Sequence, residues 1–375
     1  MKNKVGIATV TTGHNYGTSL QAYSTKEILS KLGFEGELLK LKGSFINGRD
    51  IRLKKLLIMF LRSLLYKKNV RAAFSVFIKG KEKKLTSNTK SLFNDFSLMF
   101  LTPKEYTWKS LTDIAKTDEY ISFVCGSDQV WNANTLYVDP LYYLEFAPTN
   151  KRVAFTPSFG SSEIASYNKS VISKKLSSIK SLSVREESGC NIIYELTGRD
   201  SICLIDPTLV LSKSDWSEKF NIKDRLVSKP YILFYFLDKP SISAESFVNN
   251  LKSELQIDVI GIPYKYSEGL ISEYLDCGPV EFLNLVYNAR FVVTDSFHGT
   301  AFSLNFGVPF ATFERNYGVN SNQSSRIISL LEKVGEIDKL EPSIINHNKL
   351  NVSSIEKILE YERKKSLKYL KESLT

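Results

Sequence analysis

The sequence has few cysteines and histidines and no long apolar run. The spacing of the cysteines and the short apolar runs each argue against a class of protein. The four cysteines lie far apart with no CxxC pair, which argues against a zinc ribbon or a disulfide framework and indicates a reducing compartment. No apolar run approaches the ~20 residues that a membrane span needs. The longest near the N-terminus is the six-residue stretch Leu56–Leu61. We therefore do not expect an integral membrane protein.

Signatures of several enzyme classes are also missing. The sequence contains no phosphate-loop motif, no GxGxxG after its first strand pattern, no GxSxG and no HExxH. These absences argue against kinases, dehydrogenases, serine hydrolases and zinc proteases, and no metal-ligand spacing is present. The first ten residues lack the apolar core and cleavage site of a signal peptide, so we expect a cytoplasmic protein.

What the sequence does contain is enough apolar material for packed cores. Its 375 residues are 43% hydrophobic, 12% aromatic and 24% charged, which is close to an ordinary globular protein and excludes global disorder. At ~150 residues per domain, this length favours two domains.

The positive charge is concentrated in one segment. Residues 49–84 contain twelve lysines and arginines against two acids, and this surplus accounts for the whole net charge of +10. Within the segment, apolar residues recur with helical spacing, which predicts an amphipathic helix around residues 51–68. Lys54, Lys55 and Arg62 lie on or beside its polar face. The apolar positions are Leu53, Leu56, Leu57, Phe60, Leu61, Leu64 and Leu65.

Two interpretations of this basic helix remain open. It can pack on its domain with a solvated cationic face, or it can lie on an anionic membrane and receive a lipid-linked phosphate. Nucleic acid is not expected, because few aromatic residues lie among the bases and no nucleic-acid-binding pattern is present.

Strand and helix patterns alternate along the chain, which predicts an α/β protein with parallel sheets. In the first half, strands are predicted at 5–11, 37–41, 120–125, 152–156 and 181–184, with a helix at 19–32. In the second half, strands are predicted at 231–237, 258–262, 290–294 and 309–313, with helices at 243–255 and 279–288. Two such Rossmann-like halves in tandem predict a cleft between them.

These patterns also suggest domain limits. We expect an N-terminal Rossmann-like domain at residues 1–210, with a basic helical insertion at about 49–100. After the Asp206-Pro207-Thr208 segment, a C-terminal Rossmann-like domain is expected at 211–340. The remainder, 341–375, is predicted to form a long charged helix at about 353–371 that packs back on the N-terminal half.

The best candidate site is the segment 295–300. Ligands bind parallel sheets at the carboxyl ends of strands, and this polar loop follows a predicted strand. His298 precedes Gly299 and Thr300 at a helix start, so an imidazole and free backbone N–H groups share a volume suited to phosphate or carboxylate. Imidazole also transfers protons near neutral pH. The alternative is a helix capped by Ser296 or Thr300 beside an incidental histidine.

A second candidate is Arg185, which follows the apolar residues 181–184 at a strand end. A guanidinium in this place needs an anion. The carboxylate or phosphate of a ligand would satisfy it, and so would Glu186, Glu187 or Asp206. Both interpretations stay open.

Two further loops carry weaker signals. In the segment 126–129, Gly126 and Ser127 allow close backbone approach, while Asp128, next to Gln129, can orient or deprotonate a hydroxyl. The alternative is that the segment 126–129 is a strand-to-helix turn without a function. The segment Asn15-Tyr16-Gly17, together with Gln21, offers amide and phenol groups that suit sugar hydroxyls.

Five ordered segments together resemble the polysaccharide pyruvyl transferase family over about residues 4–335. Each segment alone is a weak signal, whereas five in this order are specific. They read NYGTSLQAY (15–23), VCGSDQVWN (124–132), SVREESG (183–189), DPT (206–208) and DSFHGT (295–300).

The resemblance implies a two-domain fold of the glycosyltransferase-B kind, with the donor on the C-terminal domain. It implies transfer of pyruvate from phosphoenolpyruvate to a sugar as a cyclic ketal, without a metal or other cofactor. Arg185 would be the donor-binding arginine and His298 the catalytic histidine. This chain has Ser296-Phe297-His298 where characterised members have Arg-Leu-His, so one cation expected on the donor is missing.

The chemistry of this reaction suggests roles for the other residues. The donor would be held by Arg185 and by the helix N-terminus at Ser296, Gly299 and Thr300, with Arg326 as a third contact. His298 would transfer a proton or stabilise phosphate, and Asp128 would be the base on the acceptor hydroxyl. Acceptor contacts are expected from Asn15, Tyr16, Gly17, Gln21, Ser127 and Gln129.

The expected function is therefore a cytoplasmic pyruvyl transferase that acts on an exopolysaccharide or cell-envelope glycan precursor. The acceptor is expected to be lipid-linked, with the basic helix near the membrane. One alternative is a glycosyltransferase of the same fold that places His298 and Arg185 on the diphosphate of a nucleotide sugar. The other is a non-catalytic relative that binds a glycan or a lipid.

Overall fold

Two parallel β-sheets with the same strand order form the framework of the protein. The computed structural model describes residues 3–11, 13–42, 51–65, 85–132, 135–264, 267, 269–315, 325–343 and 350–375. Across the first sheet the strands are Lys104–Tyr106 (β3), Glu35–Leu41 (β2), Lys4–Ala8 (β1), Tyr120–Cys125 (β4) and Arg152–Ala154 (β5). Across the second they are Glu273–Tyr274 (β10), Asp258–Ile262 (β9), Tyr231–Tyr235 (β8), Phe291–Thr294 (β11) and Phe310–Thr312 (β12).

All described strand pairs are parallel, and a small third sheet joins Ser183–Val184 (β6) to Ile202–Cys203 (β7). Because each large sheet places its first strand in the middle, the order 3-2-1-4-5 recurs in both halves. The α/β class with two Rossmann-like sheets is therefore confirmed.

Helices connect the strands and cover the sheets. In the first half they are Tyr16–Lys31 (α1), Ile51–Leu65 (α2), Ser87–Phe96 (α3), Trp108–Ala115 (α4), Ser166–Leu176 (α5), Glu187–Thr197 (α6), Pro207–Val210 (α7) and Lys213–Phe220 (α8). In the second half they are Ile242–Leu255 (α9), Pro279–Asn288 (α10), Phe297–Phe306 (α11), Ser325–Val334 (α12) and Val352–Leu374 (α13). Within the described ranges, no helix combines the length and the apolar character needed to cross a bilayer.

Helix α1 begins earlier than the sequence pattern predicts. Asn15 keeps an extended backbone, and its Oδ1 accepts a hydrogen bond from the backbone N–H of Thr18 at 3.1 Å. This is an N-cap, so Tyr16 and Gly17 are the first helical residues rather than part of a loop. The cap therefore fixes the helical backbone of Tyr16 and Gly17 and, with it, the direction of the Cα–Cβ bond of Tyr16.

A continuous apolar core joins the two halves. The ring of Tyr16 stacks between Phe93 and Phe282, with centroid distances of 5.0 and 4.8 Å. Its hydroxyl donates to the carbonyl oxygen of Cys277 at 3.1 Å. Phe93 belongs to α3, in the segment predicted as an insertion, so this part of that segment packs into the core. The two halves are therefore joined by apolar packing as well as by the chain.

The long C-terminal helix α13 contacts both halves. The Arg363 guanidinium donates to the carbonyl oxygen of Leu209 and to Oδ1 of Asn305, both at 3.0 Å. Further along, the Tyr369 hydroxyl donates to the carbonyl oxygen of Ala154 at 2.8 Å. The helix thus links α11 of the second half to β5 of the first.

Only part of the basic segment lies within the described structure. The predicted helix at 51–68 corresponds to α2, which ends at Leu65. Positions 43–50 and 66–84 lie outside the described residues.

Candidate active site

A cavity of about 230 Å³ lies where the carboxyl ends of the two sheets face each other. This is the position at which two parallel sheets place their functional loops. The first half contributes Val10, Asn15, Thr18, Asp128 and Gln129 to its wall. The second half contributes Leu237, Ser296, Phe297, His298, Arg315 and Arg326.

His298 enters this wall from the first turn of α11. Ser296 caps the helix, with its Oγ accepting a hydrogen bond from the N–H of Gly299 at 3.4 Å. The Nε2 atom of His298 lies 3.8 Å from Oδ2 of Asp206 and has no hydrogen-bond partner among the described residues. On the other side the ring touches Gly17, where a Cβ atom would lie only 1.9 Å from Nδ1. A glycine in α1 therefore sets the position of the imidazole.

Asp206 is the buried anion behind the histidine. Its Oδ2 accepts hydrogen bonds from Nη1 of Arg185 and, at 3.0 Å, from Oγ of Ser127. Its Oδ1 accepts from the N–H and the hydroxyl of Thr208, at 3.0 and 2.8 Å. Burial by itself raises the pKa of this carboxyl, but the charges of Arg185 and His298 and these hydrogen bonds outweigh it and lower the pKa to about 2. Asp206 is therefore ionised at neutral pH.

Arg185 has an acid of the protein as its partner, which is one of the two arrangements expected from the sequence. The Nη1 atom binds Asp206, while Nε and Nη2 are buried without a partner in the described part of the chain. Its Cζ atom lies 4.4 Å from the centroid of the Phe297 ring. Arg185 itself is not a wall residue of the cavity, whereas Phe297 is.

Arg326 lines the cavity as a buried cation. Its Nε has no hydrogen-bond partner in the described ranges, and its Cζ lies 5.7 Å from the same Phe297 ring. Burial, reinforced by the charge of Arg185, lowers the pKa of Arg326 to about 9. Its Nε is desolvated without a hydrogen-bond partner, and Asp128 and Glu186 act on the guanidinium only as nearby charges, so this side of the cavity favours an anionic ligand.

On the opposite wall, both carboxylate oxygens of Asp128 accept hydrogen bonds. It adopts a left-handed backbone with φ of 67°, Oδ1 accepts the N–H of Gln129 at 2.8 Å, and Oδ2 accepts the hydroxyl of Thr18 at 2.7 Å. Burial raises its pKa, but the nearby charges of Arg185 and His298 outweigh that effect, and the net pKa is lowered. Asp128 is therefore an ionised carboxylate and can accept a proton.

Three residues expected to contact an acceptor are used inside the protein instead. Tyr16 is in the core between the halves. Gln21 donates to Thr9 Oγ1 at 2.9 Å and accepts from the N–H of Ser127 at 3.2 Å. Ser127 points its hydroxyl at Asp206. Each of these polar groups has an internal partner, so the three side chains support the site from behind, and their contact with an acceptor stays a prediction.

Two residues expected to contact the donor are also internal. The N–H of Gly299 is used by the Ser296 cap, and a Cβ there would lie 2.5 Å from Thr294 Oγ1. The hydroxyl of Thr300 bonds the carbonyl oxygen of Ser296 at 3.1 Å and the hydroxyl of Thr312 at 2.7 Å. Their role is to allow α11 to pack closely against the second sheet.

Sequence reasoning missed Thr18, Phe297 and Arg315. Arg315 comes shortly after β12, which ends at Thr312, and Arg185 comes directly after β6, so a base near a strand end was a usable signal. Its Nε donates to the carbonyl oxygen of Asp295 at 3.0 Å and lies 3.2 Å from Oδ2 of the same residue. The cavity wall therefore carries two arginines although position 296 is serine.

The arrangement offers no clear metal site. Among the residues that the structure describes, no three His, Cys, Asp or Glu side chains converge to hold an ion. What converges is a pair of arginines, an imidazole and a carboxylate, a set that can bind an anion and move protons.

Comparison with known families identifies the group to which the chain belongs. The family model described as Polysaccharide pyruvyl transferase matches residues 15–317. The protein is thus a member of the polysaccharide pyruvyl transferase family, which is a group of transferases. The search of curated proteins found no matching sequence.

Several solved structures are similar over nearly the whole chain, at low identity. UDP-N-acetylglucosamine 2-epimerase from Rickettsia bellii is 11% identical, with a TM-score of 0.47, over 99% of this chain and 96% of that one. MurG from Acinetobacter baumannii is 10% identical, with a TM-score of 0.41, over 99% of each chain. A wall teichoic acid polymerase is 10% identical, with a TM-score of 0.46, over 100% of this chain and 88% of that one.

Replacement of His298 by glutamine is expected to make folding less sensitive to mild acid. Burial lowers the pKa of His298 from its ordinary value of 6.5 to about 4. Between these values the unfolded chain binds a proton that the folded protein does not, so the free energy of unfolding decreases as pH falls through this window. In His298→Gln this contribution is absent, and the slope against pH should be shallower by up to ~1.4 kcal/mol per pH unit.

The measurement is chemical denaturation of both proteins at several pH values from 7 to 4.5. Asp206, whose pKa is lowered to about 2, takes up its proton below this pH range and does not contribute to the slope. Parallel slopes for wild type and His298→Gln would contradict the neutral state of the buried imidazole.

Proposed function

We propose that the protein transfers pyruvate from phosphoenolpyruvate to two hydroxyls of one sugar, forming a ketal and releasing phosphate. The observation that carries the proposal is the buried cation Arg326, whose Nε has no hydrogen-bond partner among the described residues, in the wall of the same cavity as His298 and Asp128. Phosphoenolpyruvate has a phosphate and a carboxylate, so it matches a site that favours an anion. We propose that no metal or other cofactor takes part.

The donor is proposed to occupy the side of the cavity that belongs to the second half. Arg326 and Arg315 present guanidinium groups there, and charge-assisted bonds from arginine to phosphate or carboxylate are among the strongest hydrogen bonds in proteins. The N-terminus of α11, at Ser296 and Phe297, adds the positive end of a ten-residue helix. Arg185 supports this side through its contact with the Phe297 ring.

The reaction then requires an addition and a substitution at the central carbon of phosphoenolpyruvate. The first sugar hydroxyl forms a C–O bond to this carbon and gives its proton to a base, while the C=C bond opens and the methylene carbon gains a proton and becomes a methyl group. The second hydroxyl displaces phosphate, and its proton leaves with the phosphate. One group must deliver a proton and another must accept one. We assign the delivery to His298 and the acceptance to Asp128, which is ionised and faces the cavity.

The protonation of His298 is coupled to donor binding in this proposal. Burial keeps the pKa of the imidazole at about 4, so it is neutral at pH 7. A bound anion with several negative charges raises the pKa of a nearby imidazole. The histidine thus becomes protonated, and able to act as an acid, only when the donor is bound. Without the donor it stays neutral.

The acceptor is proposed to be a sugar of an exopolysaccharide or cell-envelope glycan precursor, lipid-linked and met in the cytoplasm. Support comes from the family and from the wall of the first half, where Asn15, Thr18 and Gln129 offer amide and hydroxyl groups. Such groups bind sugar hydroxyls through neutral hydrogen bonds.

The test is a calorimetric titration of the full chain with phosphoenolpyruvate at low salt, where electrostatic binding is least screened. Saturable binding, with no heat from nucleotide sugars, supports the proposal. Saturable binding of a nucleotide sugar alone would replace it by a glycosyltransferase function. Failure of both ligands with a folded protein would indicate a non-catalytic relative.

Gly17→Ala is expected to reduce turnover by about 100-fold in a folded protein. Alanine in a helix is usually more favourable than glycine by ~1 kcal/mol, so the change should not weaken α1 by itself. The new Cβ would lie 1.9 Å from Nδ1 of His298, so the imidazole must move. A displacement of about 1 Å in a catalytic group can cost ~100-fold in rate.

Turnover is measured as phosphate release from phosphoenolpyruvate with a panel of sugars that carry neighbouring free hydroxyls. Thermal melting serves as the control for folding. Full activity in Gly17→Ala would show that the imidazole position is not critical.

A further inference from the structure

Helix α2 turns its apolar side to solvent. Five large apolar residues of this helix are exposed, from 43% for Phe60 to 75% for Leu65. The other three are Leu57, Leu61 and Leu64. An amphipathic helix of a soluble domain normally buries this stripe and exposes its charges. Exposure of a contiguous apolar patch marks an interaction surface.

Polar contacts hold the helix in this orientation. Nη1 of Arg62 donates to Oδ1 of Asn168 at 2.9 Å and to the carbonyl oxygen of Leu136 at 3.3 Å. The neighbouring Ser63 is buried. The side of the helix that bears Arg62 therefore faces the first half of the protein, and the leucines face away from it.

The charge of the surrounding sequence indicates what covers the apolar side. Arg52, Lys54 and Lys55 belong to the helix, and Lys67 and Lys68 follow its end in sequence. Residues 49–84 have a surplus of ten positive charges. A second copy of the chain would bring the same charge and be repelled, whereas anionic lipid attracts it while its acyl region accepts leucine and phenylalanine side chains.

We propose that α2 docks the protein on an anionic lipid bilayer. The five exposed residues enter the boundary between headgroups and acyl chains, and the positive charge of the surrounding sequence is attracted to the anionic headgroups. The docking is independent of the donor and of the reaction, so it holds or fails apart from the proposed function.

The test is co-sedimentation of the full chain with vesicles of phosphatidylcholine alone or mixed with phosphatidylglycerol. We expect at least 10-fold tighter binding to the anionic vesicles, and a strong decrease when salt is raised. Replacing Leu57, Leu61 and Leu64 together by glutamine should weaken binding at least 10-fold. Replacing Arg52, Lys54 and Lys55 together by glutamine should remove the preference for anionic vesicles.

The matched control is a variant at two other exposed apolar residues, Leu226→Gln with Ile242→Gln. These side chains are 56% and 85% exposed and lie outside α2, so this variant should bind vesicles like wild type. Circular dichroism confirms folding of each variant. Wild-type binding by the leucine variant would overturn the proposal. The proposal would also be overturned if wild type does not bind vesicles but forms a dimer in sedimentation velocity, and if the leucine variant does not form this dimer.

Discussion

Arg326→Met is expected to abolish saturable binding of phosphoenolpyruvate while leaving the protein at least as stable as wild type. The guanidinium lines the cavity, is buried, and has no acidic partner within hydrogen-bonding distance in the described structure. Hydrogen bonds to charged groups contribute about 1.5–3 kcal/mol each, so loss of a two-pronged contact should weaken binding by ~100-fold or more. Removing an unpaired buried charge does not cost stability.

The measurement pairs calorimetry with chemical denaturation, and Arg185→Met is the matched control. Arg185 neutralises the buried Asp206, so its loss leaves that carboxylate without a counter-charge. Breaking a buried ion pair in this way costs about 3–5 kcal/mol. The two arginines are thus expected to differ: one supports binding alone, and the other supports folding as well. Equal destabilisation by both replacements, or wild-type binding by Arg326→Met, would contradict this account.

His298→Gln is expected to lower turnover by ~100- to 10,000-fold while phosphoenolpyruvate still binds within a few-fold of wild type. General acid–base catalysis by a positioned imidazole contributes a factor of that size. The donor charge is proposed to be held mainly by the arginines, so loss of the histidine should weaken binding by only a few-fold. Phosphate release with the sugar panel measures turnover, and calorimetry measures binding.

A second readout separates a proton donor from a residue that merely supports the fold. If the donor raises the pKa of His298, wild type takes up a proton when it binds phosphoenolpyruvate near pH 6, and His298→Gln does not. Titrations in two buffers with different ionisation enthalpies detect this proton. His14→Gln is the control, because His14 lies outside the cavity wall. Equal proton uptake by wild type and His298→Gln would assign the proton to another group.

Much of this architecture could be read from the sequence because strands of a parallel sheet are short apolar runs that end in polar loops. Tyr120–Cys125, Asp258–Ile262 and Pro279–Asn288 have the bounds that the pattern predicts. The loop that carries His298 could be recognised for the same reason, since it follows a buried strand and opens a helix. These features depend on residues close together in the chain.

Which side chains reach the cavity could not be predicted, because that depends on partners far apart in sequence. Tyr16 turns inward to meet Cys277, 261 residues away, and Ser127 turns to Asp206, 79 residues away. Arg185 and Arg326 were both expected to contact the donor, yet the tertiary structure pairs Arg185 with Asp206 and leaves Nε of Arg326 without a partner among the described residues.

Composition and periodicity by themselves determined that the chain forms two α/β halves, that its charge lies in one segment, and that this segment contains an amphipathic helix. They could not determine the direction in which the helix faces. That was decided by the contact of Arg62 with Asn168, 106 residues further on, which holds one side of α2 against the protein and leaves the leucines outside. Local patterns specify secondary structure, whereas long-range contacts decide which surface is left for a ligand or a membrane.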